Sequence, residues 1–220
     1  MSAPSGRSPV PVTAGFADLA ARVLAAPPRL GPVRLVAVDG HAGSGKSTFA
    51  GRVAAAVRDT GATVGLLHTD DLLEGWSDLD SYWPRLDAWV LAPLRRGGPG
   101  AYRPYDWHAR RFADEERPVP VTDVLVIEGV ACGRSESRDA LSRLLWVEAP
   151  EELRLRRGIA RDGEAMRPEW LRWMAAETVH FARERTREAA DLRIDGAPEV
   201  PPENPDREFA VISGWSPLRH

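Results

Sequence analysis

The stretch VRLVAVDGHAGSGKST, residues 33–48, governs how the rest of the chain is read. From Val33 to Gly40 it is a nearly continuous apolar run, the pattern of a parallel strand covered on both faces. The turn that follows satisfies G-x-x-x-x-G-K-[ST] through Gly40, Gly45, Lys46 and Ser47. A helical stretch then runs on and closes at Gly61. A strand, a glycine-rich turn and a helix start in that order aim backbone N–H groups, at the positive end of a helix, toward one point, which is a receptor for phosphate. The expected nucleotide-binding set is therefore Gly40, Gly43, Ser44, Gly45, Lys46, Ser47 and Thr48. In it Lys46 reaches the β and γ phosphates of ATP and the Ser47 hydroxyl meets Mg²⁺. A purely structural glycine turn is the competing reading.

Composition strengthens the first reading. Lys46 is the one lysine among 29 basic residues, the others all being arginine. A compact ammonium on a flexible stem is not interchangeable with a planar guanidinium, so a single retained lysine inside this turn is informative. With 220 residues, 43% hydrophobic and 28% charged, the chain has the make-up of one globular domain. The net charge of −3 argues against general nucleic-acid binding, which needs a basic surface. No apolar run approaches the ~20 residues of a membrane span. Residues 1–12 read as a flexible tail and not as a secretory signal. Cys132 stands alone, which excludes an intrachain disulfide and fits a reducing compartment such as the cytoplasm. The oligomeric state is left open.

Outward from the turn, Thr13 is placed to cap a helix through FADLAARVLAAP. Further strands are expected at 63–70, 122–130, from Leu144 onward, and in ADLRID from Ala190, with helical patterns between most of them. Alternation of this kind predicts a doubly wound parallel sheet of about five strands with helices on both faces, and ligands beyond the carboxyl ends of the strands. Residues 13–220 then form a single domain. Residues 72–120, rich in Trp, Tyr, Arg, Pro and Gly, break the alternation and read as a partly helical substrate-binding insertion.

Acidic residues fall where such a sheet presents its site. Asp70 and Asp71 end the second strand, where a carboxylate accepts a proton from an attacking hydroxyl or holds Mg²⁺ through water. Asp70 is the first candidate for the base and Asp71 for contact with substrate, although either could instead cap a helix. Glu128 ends the run VLVIE, where an ionised carboxylate needs a cation or donor, and it joins Ser47 as a candidate metal ligand. Arg154, Arg157 and Arg161 share one helical face. Arg157 and Arg161 are candidate catalytic groups in a lid spanning 154–167, stabilising charge on a transferring phosphoryl group. Within the insertion Trp76, Tyr102, Arg103, Tyr105, Asp106 and Trp107 are candidates to bind a flat, polar acceptor, against the commoner role of aromatic residues in packing.

With GHAGSGKST, the Asp70 of LLHTDD, YRPYDW, IEGV and RRGIARD in place, the chain resembles the uridine kinase family of P-loop nucleoside kinases. More loosely it resembles pantothenate kinase and phosphoribulokinase. The resemblance implies transfer of the γ-phosphoryl group of ATP to a hydroxyl of a small molecule such as uridine or cytidine. It implies Asp70 as general base, Ser47 and Glu128 serving Mg²⁺, and Arg157 with Arg161 on the phosphates. Asp70-Asp71-Leu72 departs from the family's aspartate followed by Ser-Phe-Tyr. The rival readings are a nucleotide, pantothenate or sugar kinase, and an ATP-driven switch. A GTPase with an N-K-x-D motif is excluded, because Lys46 is the only lysine.

Overall fold

The computed structural model describes residues 12–214. The strands are β1 Val12–Gly15, β2 Arg34–Asp39, β3 Val64–His68, β4 Gly100–Tyr102, β5 Tyr105–Asp106, β6 Arg111–Phe112, β7 Arg117–Val119, β8 Val124–Glu128, β9 Leu141–Glu148, β10 Leu192–Asp195 and β11 Glu208–Ser213. The helices are α1 Phe16–Ala25, α2 Lys46–Asp59, α3 Trp83–Leu86, α4 Ala92–Arg95, α5 Glu151–Asp162, α6 Arg167–Glu184 and α7 Thr186–Ala189.

Seven strands form the main sheet in the order β1-β11-β10-β9-β2-β8-β3. The five expected strands pair in parallel, and β11 and β1 extend the sheet antiparallel beyond β10. These two strands were not anticipated, and they correct the reading of Thr13. It pairs with Ala210 in β1, and Gly15, with no side-chain cap, precedes α1. Of the expected tail, residues 1–11 lie outside the described residues, and Val12 already belongs to β1.

Successive side chains of β2 go to opposite faces, as strand geometry requires. Val36 and Val38 meet Phe16, Leu19 and Val23 of α1 and Phe49, Val53 and Val57 of α2. Leu35 and Ala37 join the other core, with Trp173 and Phe181 of α6 and Tyr82, Leu86, Val90, Leu91 and Leu94 from the expected insertion. The helical part of 72–120, where a π-turn at Asp87–Leu91 joins α3 to α4, thus also builds the core. The remainder forms two small antiparallel pairs, β4 with β7 and β5 with β6. Because β2, β8 and β3 are parallel neighbours, their carboxyl ends and the turn after β2 open at one edge of the sheet.

Candidate active site

Residues 40–45 join β2 to α2, and three of the glycines are required by geometry. Gly40 has φ 144°, and a Cβ there would sit 2.1 Å from the Val147 carbonyl oxygen. Gly43 has φ 77°, with a Cβ 2.6 Å from that of Arg154. Gly45 precedes α2 at φ 101° with no side chain capping the helix, so the first-turn N–H groups are left for a ligand. The buried Lys46 ammonium donates to the His41 carbonyl at 2.9 Å. The Ser44 hydroxyl is buried and has no hydrogen-bond partner among the described residues. An orphaned buried hydroxyl beside the uncapped start of α2 is the fit expected for a phosphate.

Register carries the acids to the same edge. Glu128 pairs with Val38 on one side and His68 on the other. The Glu128 side chain meets His68 Nδ1 at 2.5 Å. Burial pushes this carboxyl up, but His68, Lys46 and the Ser47 hydroxyl outweigh it and hold it below its usual value. Asp70 follows β3 in the turn Thr69–Leu72. It is open to a cavity yet surrounded by protein, and that desolvation, with the Glu128 charge, raises its pKa. Asp71 is engaged elsewhere, by the Tyr102 hydroxyl and by Arg117, each at 2.9 Å. Asp39, read from the sequence only as the end of a strand, is fully buried. It accepts the N–H groups of Gly40, Ala131 and Gly133 at 2.7, 2.9 and 2.8 Å, tying the phosphate loop to the turn after β8. Burial lifts it to about 6 against the pull of those amides and of Lys46.

The three arginines of α5 go to three places. Arg154 is buried against Glu177 of α6. Arg157 donates to the carbonyls of Gly43 and Gly196, at 3.1 Å each. Arg161 pairs with Asp162 and stands 5.6 Å from the centroid of the Trp170 ring. Two cavities flank the loop. The first, about 620 Å³, is lined by Gly43, Asp70, Arg161 and four indoles, Trp76, Trp107, Trp170 and Trp173. Trp76 meets the other three at 5.8 to 6.0 Å between centroids. The second, about 550 Å³, is lined by Gly45, Thr48, Arg52, Arg157, residues 195–198 and Pro201, Pro202 and Pro205.

Trp76 and Trp107 therefore reach the first cavity, and Tyr105 packs edge-on to Trp107 at 5.5 Å. Tyr102, Arg103 and Asp106 do not line it. Tyr102 is bonded to Asp71, Arg103 pairs with Glu116, and Asp106 accepts the amides of His108 and Ala109. Trp170, Trp173 and Glu177, which sequence reasoning passed over, come in on α6. Their only sequence signal is the buried stripe of an amphipathic helix.

Among the described residues no group of three or more His, Cys, Asp and Glu could hold a metal ion. Mg²⁺ does not require one, since it is commonly held by one or two carboxylates together with substrate phosphates and water. The Glu128 charge acts on Asp70, and Glu128 is hydrogen-bonded with Ser47, so these oxygens lie together where a cation would fit.

No protein-family model matches the chain. A uridine kinase from Leuconostoc citreum (strain KM20) is 26% identical over 142 residues, 58% of this chain and 68% of that protein. A possible uridine kinase from Bacillus stearothermophilus has a TM-score of 0.61 at 21% identity, covering 81% of this chain and 96% of that one. A candidate fructose transport system kinase from Silicibacter sp. TM1040 has a TM-score of 0.51 at 23% identity, covering 80% and 94%. With the phosphate loop in its strand–turn–helix setting, these likenesses define a P-loop kinase. Within that class the chain is similar to the uridine kinase-like family. No described helix is long and apolar enough to cross a membrane.

Proposed function

We propose that the chain is an ATP- and Mg²⁺-dependent kinase of a small molecule, and that its acceptor is a nucleoside such as uridine or cytidine. The observation that carries this is the pair of cavities on either side of the phosphate loop, with Asp70 in the one walled by indoles. The second cavity takes the nucleoside part of ATP, the loop amides and Lys46 hold its phosphates, and the first takes the acceptor. Asp70 removes the proton from the acceptor hydroxyl, whose oxygen bonds to the γ-phosphorus as the bond to the bridging oxygen of ADP breaks. Its raised pKa makes Asp70 a better base than a solvated aspartate. Arg157 and Arg161 offset the negative charge on the phosphates. Ser47 and Glu128 would hold Mg²⁺, which neutralises phosphate charge when bound.

Four indoles with one lining guanidinium suit a flat, uncharged ring better than an acceptor that already carries phosphate. The lone buried Cys132 suits work in the cytoplasm.

The test is ADP release from MgATP with a panel of nucleosides, nucleoside monophosphates, pantothenate and simple sugars, with Lys46→Ala as control. A Lys46-dependent response to uridine or cytidine is expected. A response confined to another acceptor discards the nucleoside and keeps the transfer chemistry. Acceptor-independent hydrolysis alone would point to a switch.

A further inference from the structure

The phosphate loop is gripped from outside by an ion pair that the transfer chemistry does not use. Glu177 of α6 is fully buried, with Oε2 2.8 Å from the Ala42 amide nitrogen and Oε1 2.7 Å from the Arg154 guanidinium. The same guanidinium donates to the Ala42 carbonyl at 3.4 Å and, through Nε, to Ala149 at 3.2 Å. Both backbone polar groups of Ala42 are thus held by one pair. The next residue is Gly43, whose left-handed φ and close approach to the Arg154 backbone leave no room for a side chain. The bend of the loop at 42–43 is therefore set by α5 and α6 together.

Such a pair is weak evidence for stability. Desolvating two charges costs about as much as their attraction returns, and apolar residues of similar volume often replace a buried pair at no loss. An apolar pair, however, leaves the Ala42 amide without its acceptor. Holding that amide and turning Arg154 onto the Ala42 carbonyl are the tasks here that need the carboxylate.

We propose that Glu177 is a positioning residue which, with Arg154, fixes the phosphate loop in the shape that receives nucleotide. The inference rests on the phosphate-binding reading of the loop. Its consequence is felt in nucleotide affinity, before any transfer occurs, so it is independent of which acceptor is used.

The experiment is calorimetric titration of MgATP into the full chain, with melting of the nucleotide-free protein in parallel. The proteins compared are the native chain, Glu177→Met, Glu177→Gln and the double variant Arg154→Met/Glu177→Met. Glu177→Met is expected to weaken MgATP binding by about tenfold, the scale of one lost buried hydrogen bond. The double variant is expected to melt close to the native chain and yet keep that loss. Native affinity in the double variant would overturn the proposal, because the pair would then serve the fold alone. Glu177→Gln keeps an acceptor for Ala42 but not the charge that orients Arg154, and it covers the case in which the methionine variants do not fold. An affinity loss of about threefold without a change in melting supports the proposal, and unchanged affinity overturns it. If the folded native chain binds no MgATP, the phosphate-loop reading fails and this inference with it. If native binding is intact and Glu177→Met binds equally well, this inference fails alone.

Discussion

The Tyr102 hydroxyl donates to the Asp71 carboxylate at 2.9 Å, and Arg117 pairs with the same oxygen at the same distance. Of two adjacent acids at the end of β3, one is thereby committed to fastening the insertion to the sheet, while its neighbour Asp70 lines the cavity. The two carboxylates, indistinguishable in composition, are given different tasks by the residues that reach them.

Asp70→Asn should lower kcat by about 10³-fold while MgATP affinity stays near native, the scale expected for loss of a general base. Asp71→Asn should instead lower the melting temperature and leave kcat within about tenfold, since a partly exposed ion pair and a hydrogen bond are worth roughly 1 kcal/mol each. Steady-state kinetics and calorimetry on the two variants check this. The reverse pattern would exchange the roles.

Two glycines should respond in opposite senses to alanine. At Gly43 the new Cβ would lie 2.6 Å from a backbone oxygen at a positive φ, so MgATP binding should fall sharply. At Gly51, inside α2 with nothing within 4 Å, the same change should raise stability by about 0.5–1 kcal/mol. Binding titrations and chemical unfolding measure the pair.

Trp107 is 38% exposed and edge-on to both Trp76 and Tyr105. Trp107→Ala should raise the acceptor KM about three- to tenfold, the worth of one aromatic contact, with little change in the KM for ATP. An equal rise in both constants would mean that the indole shapes the fold and not the pocket.

His41 lies edge-on to Trp146 and Phe181. Burial, then the charges of Arg154 and Lys46, lower it from the usual 6.5 to about 4. A histidine that must be neutral in the fold supports stability above pH 6.5 and loses it as pH falls toward 4. The native chain should therefore lose about 2 kcal/mol between pH 7 and pH 5 relative to His41→Phe. Urea unfolding of both proteins across that range gives the difference directly.

Much of this molecule was legible in the chain itself. Apolar runs such as VRLVAVD and VLVIE are short, rich in valine and closed by glycine, which reads as strand, and the glycines and lysine of 40–48 lie in one contiguous stretch. Hence the five parallel strands and the phosphate loop could be located without coordinates. The strands Val12–Gly15 and Glu208–Ser213 could not, because they are held by pairing with each other across nearly the whole chain, and the second also with β10, and not by local pattern.

The first cavity, proposed for the acceptor, divides the same way. Trp76 and Trp107 lie in a visibly aromatic segment, but Tyr102, Arg103 and Asp106 beside them are drawn off to Asp71, Glu116 and backbone amides. Sequence neighbours in a short hairpin leave on opposite faces, so closeness along the chain does not bring side chains to one site. Conversely Trp170 and Trp173 line the cavity, and Glu177 holds the loop, only because α6 packs there, and an amphipathic stripe looks the same whether it faces a core or a cavity. What the sequence alone determined was the fold class and the place of the P-loop between β2 and α2, since both depend on local order along the chain. Which acid faces the first cavity, which rings wall it and what holds the loop in shape were decided by tertiary packing, since each depends on residues that approach only after folding.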